Sequence, residues 1–312
     1  MNQLNYIIKR ILQIIPVLFL TTVLIFLMIH LIPGDPARLM LGEKATDSAV
    51  AALREKMGLN EPLTTQYFTY LKGLLTFDLG TSITYQRPVS QMLLERIPVT
   101  LSLTLLSTLL SLLISFPLGY LAGIHKDGPG DQIVRGSALV AIAMPSFWVA
   151  LLLMLLFSVH LRWLPAGGWG STPLQHLQGL ILPALTQAIA TSAILIRNIR
   201  NSVVEISVMD YVDFARSKGI SERTVRDNHI LRNTLISTVT LLSMRIAYML
   251  GGSVILETIY SLPGIGKLMV DSIFGRDYVV VQALVFLFAF LVLVINLLTD
   301  ILYSVLDPRV RF

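Results

Sequence analysis

Four stretches of this chain, residues 11–32, 99–124, 137–159 and 278–299, run for 22 to 26 residues each without an Asp, Glu, Lys or Arg. A helix needs about 20 mostly apolar residues to cross the hydrocarbon of a bilayer, and helices satisfy their own backbone polar groups there. Two weaker stretches are also long enough. Residues 178–196 are interrupted by Pro183, Thr186, Gln187 and Thr191, and residues 233–256 contain one charge, Arg245. The sequence therefore predicts six spans in an all-α integral membrane protein.

Composition supports this. Hydrophobic residues make up 54% and charged residues 14% of 312, with a mean hydropathy of +0.72, whereas soluble domains carry about 25% charged residues. So little charge cannot cover a water-facing surface, which argues against a soluble enzyme, a disordered tail or a nucleic-acid-binding module. The formal charge of +5 fits basic loops on the inner side of a membrane. With no cysteine, disulfides, thiol catalysis and cysteine metal sites are excluded.

Lys9 and Arg10 precede the first span, whose apolar run is too long for a signal-peptide core and is followed by no small-x-small cleavage site. Pro16, Pro117, Pro145 and Pro183 are expected to kink and pack the helices that contain them. With the amino terminus inside, the inner side carries thirteen Lys and Arg. These are Lys9, Arg10, Lys126, Arg135, seven between Arg197 and Arg232, Arg309 and Arg311. The short outer loops hold Arg162, Lys267 and Arg276, once the long 33–98 segment is set aside as too long for the rule. Both termini are thus expected in the cytoplasm. Trp163 and Trp169 suit an interfacial belt or packing within a folded loop.

The chain divides into residues 1–32, a tail and first span; 33–98, an extracytoplasmic loop domain; and 99–312, a five-span core with a cytoplasmic loop at 197–232. In the outer segment, Asp47 or Ser48 is expected to cap a helix with Val50, Leu53 and Met57 on one face and Gly58 at its end, and a second helix to begin at Pro62. It would stabilise the outer ends of the spans or meet an extracytoplasmic partner. In the inner loop, residues 208–218 read as a helix that Gly219 ends, and Ser221 with Glu222 starts another. A rigid basic elbow is more structure than a lipid anchor requires, and fits insertion into a groove of a soluble partner.

Here a resemblance enters. Asp213-Phe214-Ala215-Arg216-Ser217-Lys218-Gly219 resembles the EAA-x-x-x-G loop of binding-protein-dependent ABC importer permeases. Further matching runs are Pro33-Gly34-Asp35-Pro36-Ala37, Met57-Gly58-Leu59-Asn60-Glu61-Pro62-Leu63, Asp78-Leu79-Gly80-Thr81-Ser82, 257–266 and Asp307-Pro308-Arg309-Val310-Arg311. In this order and spacing they resemble the B-type permease subunit of dipeptide, oligopeptide and nickel importers. The resemblance implies a type I ABC importer permease (MetI-like) fold in the bacterial inner membrane. It also implies a second homologous permease, two ABC ATPase subunits carrying ATP and magnesium, and an extracytoplasmic substrate-binding protein, with no cofactor or metal on this chain and no part in catalysis. Tyr211, Asp213, Ala215, Gly219, Ser221, His229 and Arg232 map onto the part of such permeases that engages the ATPase. Asp213 replaces the motif's glutamate and is one methylene shorter, and His229-Ile230-Leu231-Arg232-Asn233 stands where the wider family has an I-x-L-P tail, as in the peptide/nickel branch.

The residues carry no ATP site of their own. Gly264-Ile265-Gly266-Lys267 lacks the earlier glycine and the following Ser or Thr of a P-loop, having Ser261 and Leu268 there. His30, His125, His160, His176 and His229 are isolated in sequence, so a nickel cargo is expected to travel as a chelate. Met244 and Met249, five apart, do not share a helix face and are expected to pack. No paired aspartate or Ser/His pair supports an intramembrane protease. Arg245 lies about 12 residues, or roughly 18 Å, into its span. A cation that deep turns inward, either to pair with Asp300 or a partner permease, or to attract an anionic group of the substrate. Glu257, Asn296 and Asp300 are further polar candidates for the substrate path, Glu257 more as a support of the turn at 263–266. Peptides and nickel or metallophore chelates remain the two cargo classes. A self-sufficient channel or secondary transporter is the rival, for which the elbow would have no use.

Overall fold

A computed structural model describes residues 3–31, 34–42 and 44–306. The motif at 307–311 and its Arg309 and Arg311, and Pro33 of the first motif, lie outside the described residues. In chain order the helices are α1 (Gln3–Leu31), α2 (Pro36–Leu41), α3 (Asp47–Lys56), α4 (Leu63–Thr76), α5 (Val89–Ile124), α6 (Pro129–Ala143), α7 (Ser146–Met154), α8 (Pro173–Ser207), α9 (Asp210–Ser217), α10 (Glu222–Thr224), α11 (Arg232–Ile259), α12 (Ile265–Phe274) and α13 (Tyr278–Leu306). Two π-helical segments interrupt the series, Leu155–His160 after α7 and Val225–Leu231 between α10 and α11.

Five helical stretches are long and apolar enough to cross a membrane, and the pair α6 and α7 makes a sixth if counted as one span. That third span is not the straight rod its uninterrupted apolar run suggests: α6 and α7 meet at 101°. Met144 leaves the helix with extended backbone (ψ 125°) and Pro145 precedes α7 as its cap. A residue before proline is pushed toward extended conformations, so a kink becomes a break. Elsewhere the helices outrun the uncharged stretches. α5 begins ten residues before Val99, and α8 extends over 35 residues, because charged residues near a helix end do not stop a helix.

The chain falls into two compact units. One comprises Asn2–Thr100 with Pro263–Val294, the other Leu101–Leu262 with Ile295–Phe312. In the first, Val89, Met92 and Leu93 form a core with Ile265, Leu268, Val280, Ala283 and Leu284. The buried Asp277 carboxylate accepts from Ser82 Oγ (2.5 Å) and from the Thr84 backbone N–H (3.1 Å), fastening the loop before α5 to the start of α13. The cap of α3 is Thr46, not Asp47 or Ser48. Its hydroxyl accepts from Ala49 N, while Asp47 starts the helix and pairs with Arg38. Pro62 stands one place before α4 instead of beginning it. Val50 faces inward, and Leu59 N–H bonds back to the Arg54 carbonyl across Gly58.

In the second unit α8 is central, packing against α6, α7 and α11. Gly119 and Gly123 on α5 let that helix lie against α8: a Cβ would come within 2.9 Å of the Ile196 carbonyl oxygen and 2.6 Å of Val203 Cβ respectively. Arg200 on α8 grips the fully buried Asp131 on α6 with two bonds, Nε to Oδ1 at 3.1 Å and Nη2 to Oδ2 at 2.7 Å. Buried Tyr260 donates to the Ala150 carbonyl, shares a hydrogen bond with Thr186, and its own carbonyl accepts from Gly168 N–H. Trp169 stacks on His176 at 4.2 Å, whereas Trp163 is 69% exposed.

Candidate functional site

The segment between α8 and α11 builds an elbow from its own residues. α9 opens with Asp210 and Asp213 in its first turn and ends near Arg216, an order that complements the helix dipole. Val212 and Ala215, three apart, point into a core of Leu195, Ile199, Val203, Ile206, Val225, Ile230 and Leu242. Tyr211 and Phe214, also three apart, lie on the other face, 40% and 60% exposed, and Lys218 Nζ covers the Phe214 ring at 4.6 Å. The short helix thus shows an aromatic edge to solvent while its opposite face anchors it.

Gly219 closes α9 with φ 75°, a conformation costly to any residue with a Cβ. Ile220 N–H bonds to the Ala215 carbonyl and Gly219 N–H to that of Arg216, the paired bonds of a Schellman end. Two residues later Ser221 caps the next arm, its hydroxyl accepting from Thr224 N–H. That arm is no separate helix. It continues through α10 and the π segment into α11, so the elbow's second half is the start of the fifth span.

Arg216 holds the two arms together. It reaches both Glu222 oxygens at 3.3 Å, Asp213 Oδ1 at 3.1 Å and the Ser207 carbonyl at 3.0 Å. The bonds to Glu222 raise its already high pKa further. Asp213 is committed within the elbow, as the i, i+3 partner of Arg216. Asn233 Nδ2 donates to Tyr211 Oη (3.0 Å) and to the His229 carbonyl, and the Tyr211 and His229 rings lie 6.2 Å apart. Of the seven residues mapped here, Ala215 is buried, His229 half-buried, and Tyr211, Asp213, Gly219, Ser221 and Arg232 exposed. Arg216, Glu222 and Asn233 complete the site. The one local signal for them is that Arg216 and Glu222 flank the glycine with opposite charge.

The polar positions in the spans differ in their exposure. Arg245, half-buried on α11, makes no hydrogen bond or ion pair among the described residues, with Asp300 or otherwise. Glu257 is fully buried and bonded, and its carbonyl accepts from Leu262 N–H at the turn that leads to α12. On α13, Asn296 is exposed, and half-buried Asp300 has a partner. Lys267 pairs with Asp271, one turn further along α12. Among the described residues no group of three or more His, Asp or Glu side chains could hold a metal ion.

With this geometry in place, likeness to known proteins decides the family. Residues 115–312 match the family described as the binding-protein-dependent transport system inner membrane component, and residues 3–104 match its N-terminal companion. The chain belongs to that family. It is 41% identical over 309 residues to a putative peptide transport system permease protein of Brucella abortus, covering 98% of both chains. It is 40% identical to the glutathione transport system permease protein GsiC of Salmonella typhi, covering 99% of both. Two solved structures share the fold. One is of the MetNI methionine ABC transporter (TM-score 0.59, 15% identity, 70% of this chain and 97% of that one). The other is of an amino acid ABC transporter (TM-score 0.53, 16% identity, 69% and 94%). The chain is a multi-pass membrane permease subunit with the type I ABC importer permease fold.

Proposed function

We propose that this permease moves peptides inward across a bacterial inner membrane, both its termini in the cytoplasm, in a complex with a second homologous permease, two ABC ATPase subunits and an extracytoplasmic binding protein. The observation that carries the reading is the elbow, where α9 shows Tyr211 and Phe214 to solvent while Val212 and Ala215 lock it to the core. Such a device fits a groove on a soluble partner, and a channel would have no use for it. Because the second arm is continuous with α11, a push on α9 would cross only the short turn at Gly219 before reaching the fifth span. ATP and magnesium belong to the ATPases in this scheme, and the chain itself catalyses nothing. The excess of Lys and Arg in the short loops supports the orientation. Peptides are favoured as cargo by the two relatives, one named for peptide and one for glutathione transport.

Arg245 joins this reading as a contact for the carboxylate of a passing peptide, with Glu257, Asn296 and Asp300 as further polar positions along the path. Its support is a half-buried cation that no described residue pairs, which a membrane interior penalises by about 2.5 kcal/mol or more.

The test is uptake of glutathione, short peptides and a nickel chelate into vesicles holding the whole complex, with and without ATP. Peptide uptake should require ATP and fall at least tenfold in Phe214→Ala, with the complex still assembled. Uptake by this chain alone without ATP would replace the scheme with a channel or secondary transporter, and uptake of the chelate but no peptide would replace the cargo.

A further inference from the structure

α4 carries one charge, Lys72, in its fourteen residues, whereas α3 before it carries four in ten. It is also fastened to α1 well inside the membrane. Gln66 Oε1 lies 3.1 Å from His30 Nε2, and Tyr67 Oη shares a 2.9 Å hydrogen bond with Thr22 Oγ1. The Tyr67 ring meets Phe19 at 6.4 Å and Phe26 at 5.4 Å, and Tyr70, a turn further along α4, comes back to Phe26 at 6.3 Å. His30 and Thr22 are eight residues apart, about 12 Å along a helix, yet their partners on α4 are neighbours. α4 therefore lies across α1, and because α1 is a span its axis runs nearly in the membrane plane. Thr22 is six residues, or about 9 Å, inside Met28, where the apolar window of α1 ends. Helices that lie in a bilayer interface bury their apolar face by about 5–10 Å.

The same two contacts say which side of α4 is deep. The turn of about 100° from Gln66 to Tyr67 passes from the shallow flank to the deep one. Leu71, Leu75 and Phe68 follow in the same sense, about 40°, 80° and 100° beyond Tyr67. Thr69, Thr76 and Thr65 lie about 60°, 80° and 100° beyond Gln66 in the opposite sense. Apolar side chains thus face the membrane interior and hydroxyls face away from it. Phe68 and Leu75 are 66% and 81% exposed on the chain itself, and Leu20, Leu24 and Leu27 are exposed on α1 over the same depth.

We propose that α4 is an in-plane membrane helix whose Phe68, Leu71 and Leu75 rest on the lipid acyl chains of the leaflet at the carboxyl end of α1. Depth selects lipid as the occupant, because this face continues the exposed side of a span at the level of Thr22 to Phe26. Lys72 lies about 40° from Phe68 on the way to the threonine flank, where its long side chain reaches the phosphates. α4 thus belongs to the edge of the bilayer, although the 33–98 segment that holds it reads by length as a domain outside. The inference does not rest on the transport reading.

The chain has no cysteine, which permits single labels. Spin labels on Phe68→Cys, Leu75→Cys, Thr69→Cys and Thr76→Cys, all exposed positions, are read in lipid nanodiscs for collision with two probes. Oxygen dissolves in hydrocarbon, and a neutral, water-soluble nickel chelate does not. Leu24→Cys on α1 and Glu55→Cys on α3 set the lipid and water values. The ratio of oxygen to chelate collisions at Phe68 and Leu75 should exceed that at Thr69 and Thr76 by at least about fivefold, because hydrocarbon excludes polar solutes. The difference should persist in the complex isolated from its own membrane. Equal ratios on the two faces would overturn the placement in the bilayer. Loss of both collisions at Phe68 and Leu75 in that complex would give the face to a protein partner instead of lipid.

Discussion

Arg200→Met should be the most damaging single change in the second unit, and its cost follows from the pair it breaks. Asp131 is fully buried, and the Arg200 side chain is only 14% exposed. Both carboxylate oxygens are held by the guanidinium, and Oδ2 also accepts the Asp127 backbone N–H at 2.9 Å. Removing one partner of a buried pair costs about 3–5 kcal/mol, because the other charge stays behind uncompensated. The remaining Asp127 N–H softens this toward about 3 kcal/mol, still more than a hundredfold in the folding equilibrium. Asp131→Leu alone strands a guanidinium that keeps some access to water and the exposed Asp127 carboxylate at 3.9 Å, so about 2 kcal/mol is expected. The double variant Arg200→Met, Asp131→Leu replaces the pair with packed apolar groups and should lie within about 1 kcal/mol of wild type. Detergent unfolding of the four proteins measures the coupling directly. Simple addition of the two single losses in the double variant, or losses under about 1 kcal/mol each, would refute the reasoning.

Gly219 has open space where a Cβ would be but a left-handed backbone, so substitutions there should fail by conformation and not by size. ATP-driven uptake should fall in the order Gly, Asn, Ala, Val, with Ala costing the elbow about 1 kcal/mol, and equal uptake for Gly and Val would contradict the turn geometry. Asp35 caps α2 by accepting from Ala37 N–H, and the Arg54 guanidinium at 2.8 Å holds its carboxyl below the usual carboxylate range. A lowered folded-state value means that this stabilisation is complete above the unfolded value of about 4 and is lost as the pH falls through the folded one. Hydrogen exchange in α2, corrected for intrinsic rates, should accelerate in that acid range, and in Arg54→Gln the acceleration should begin at higher pH.

Much of this architecture can be read from the residues in order. The spans announce themselves by uncharged length, and the elbow by Gly219 between Asp213 and Ser221, because a left-handed turn and a cap are local requirements. The 101° break is half legible. Pro145 marks the place, but whether a proline kinks a helix or ends it depends on what packs around it. Pro16 and Pro183 sit inside unbroken helices. What stays hidden is what lies far apart in sequence. Arg200 and Asp131 are 69 residues apart, and Ser82 and Asp277 are 195 apart, so neither pair leaves a periodic trace. The clamp on Glu222 is missed for a different reason. Arg216 reads as one more basic residue of a basic loop until the Schellman turn folds it back.

The π segment Val225–Leu231 has a consequence for how the elbow's second arm tolerates change. Its two buried residues, Val225 and Ile230, are five apart, a spacing that an ordinary helix sends to different faces and an i to i+5 turn brings back to one. The segment therefore behaves as an α-helix holding one surplus residue. Loss of a single exposed residue between them, such as Asn228, would let the arm relax to regular α geometry with both anchors still facing the core. The same deletion a few residues later, within α11, would rotate everything beyond it, Arg245 included, by about 100°.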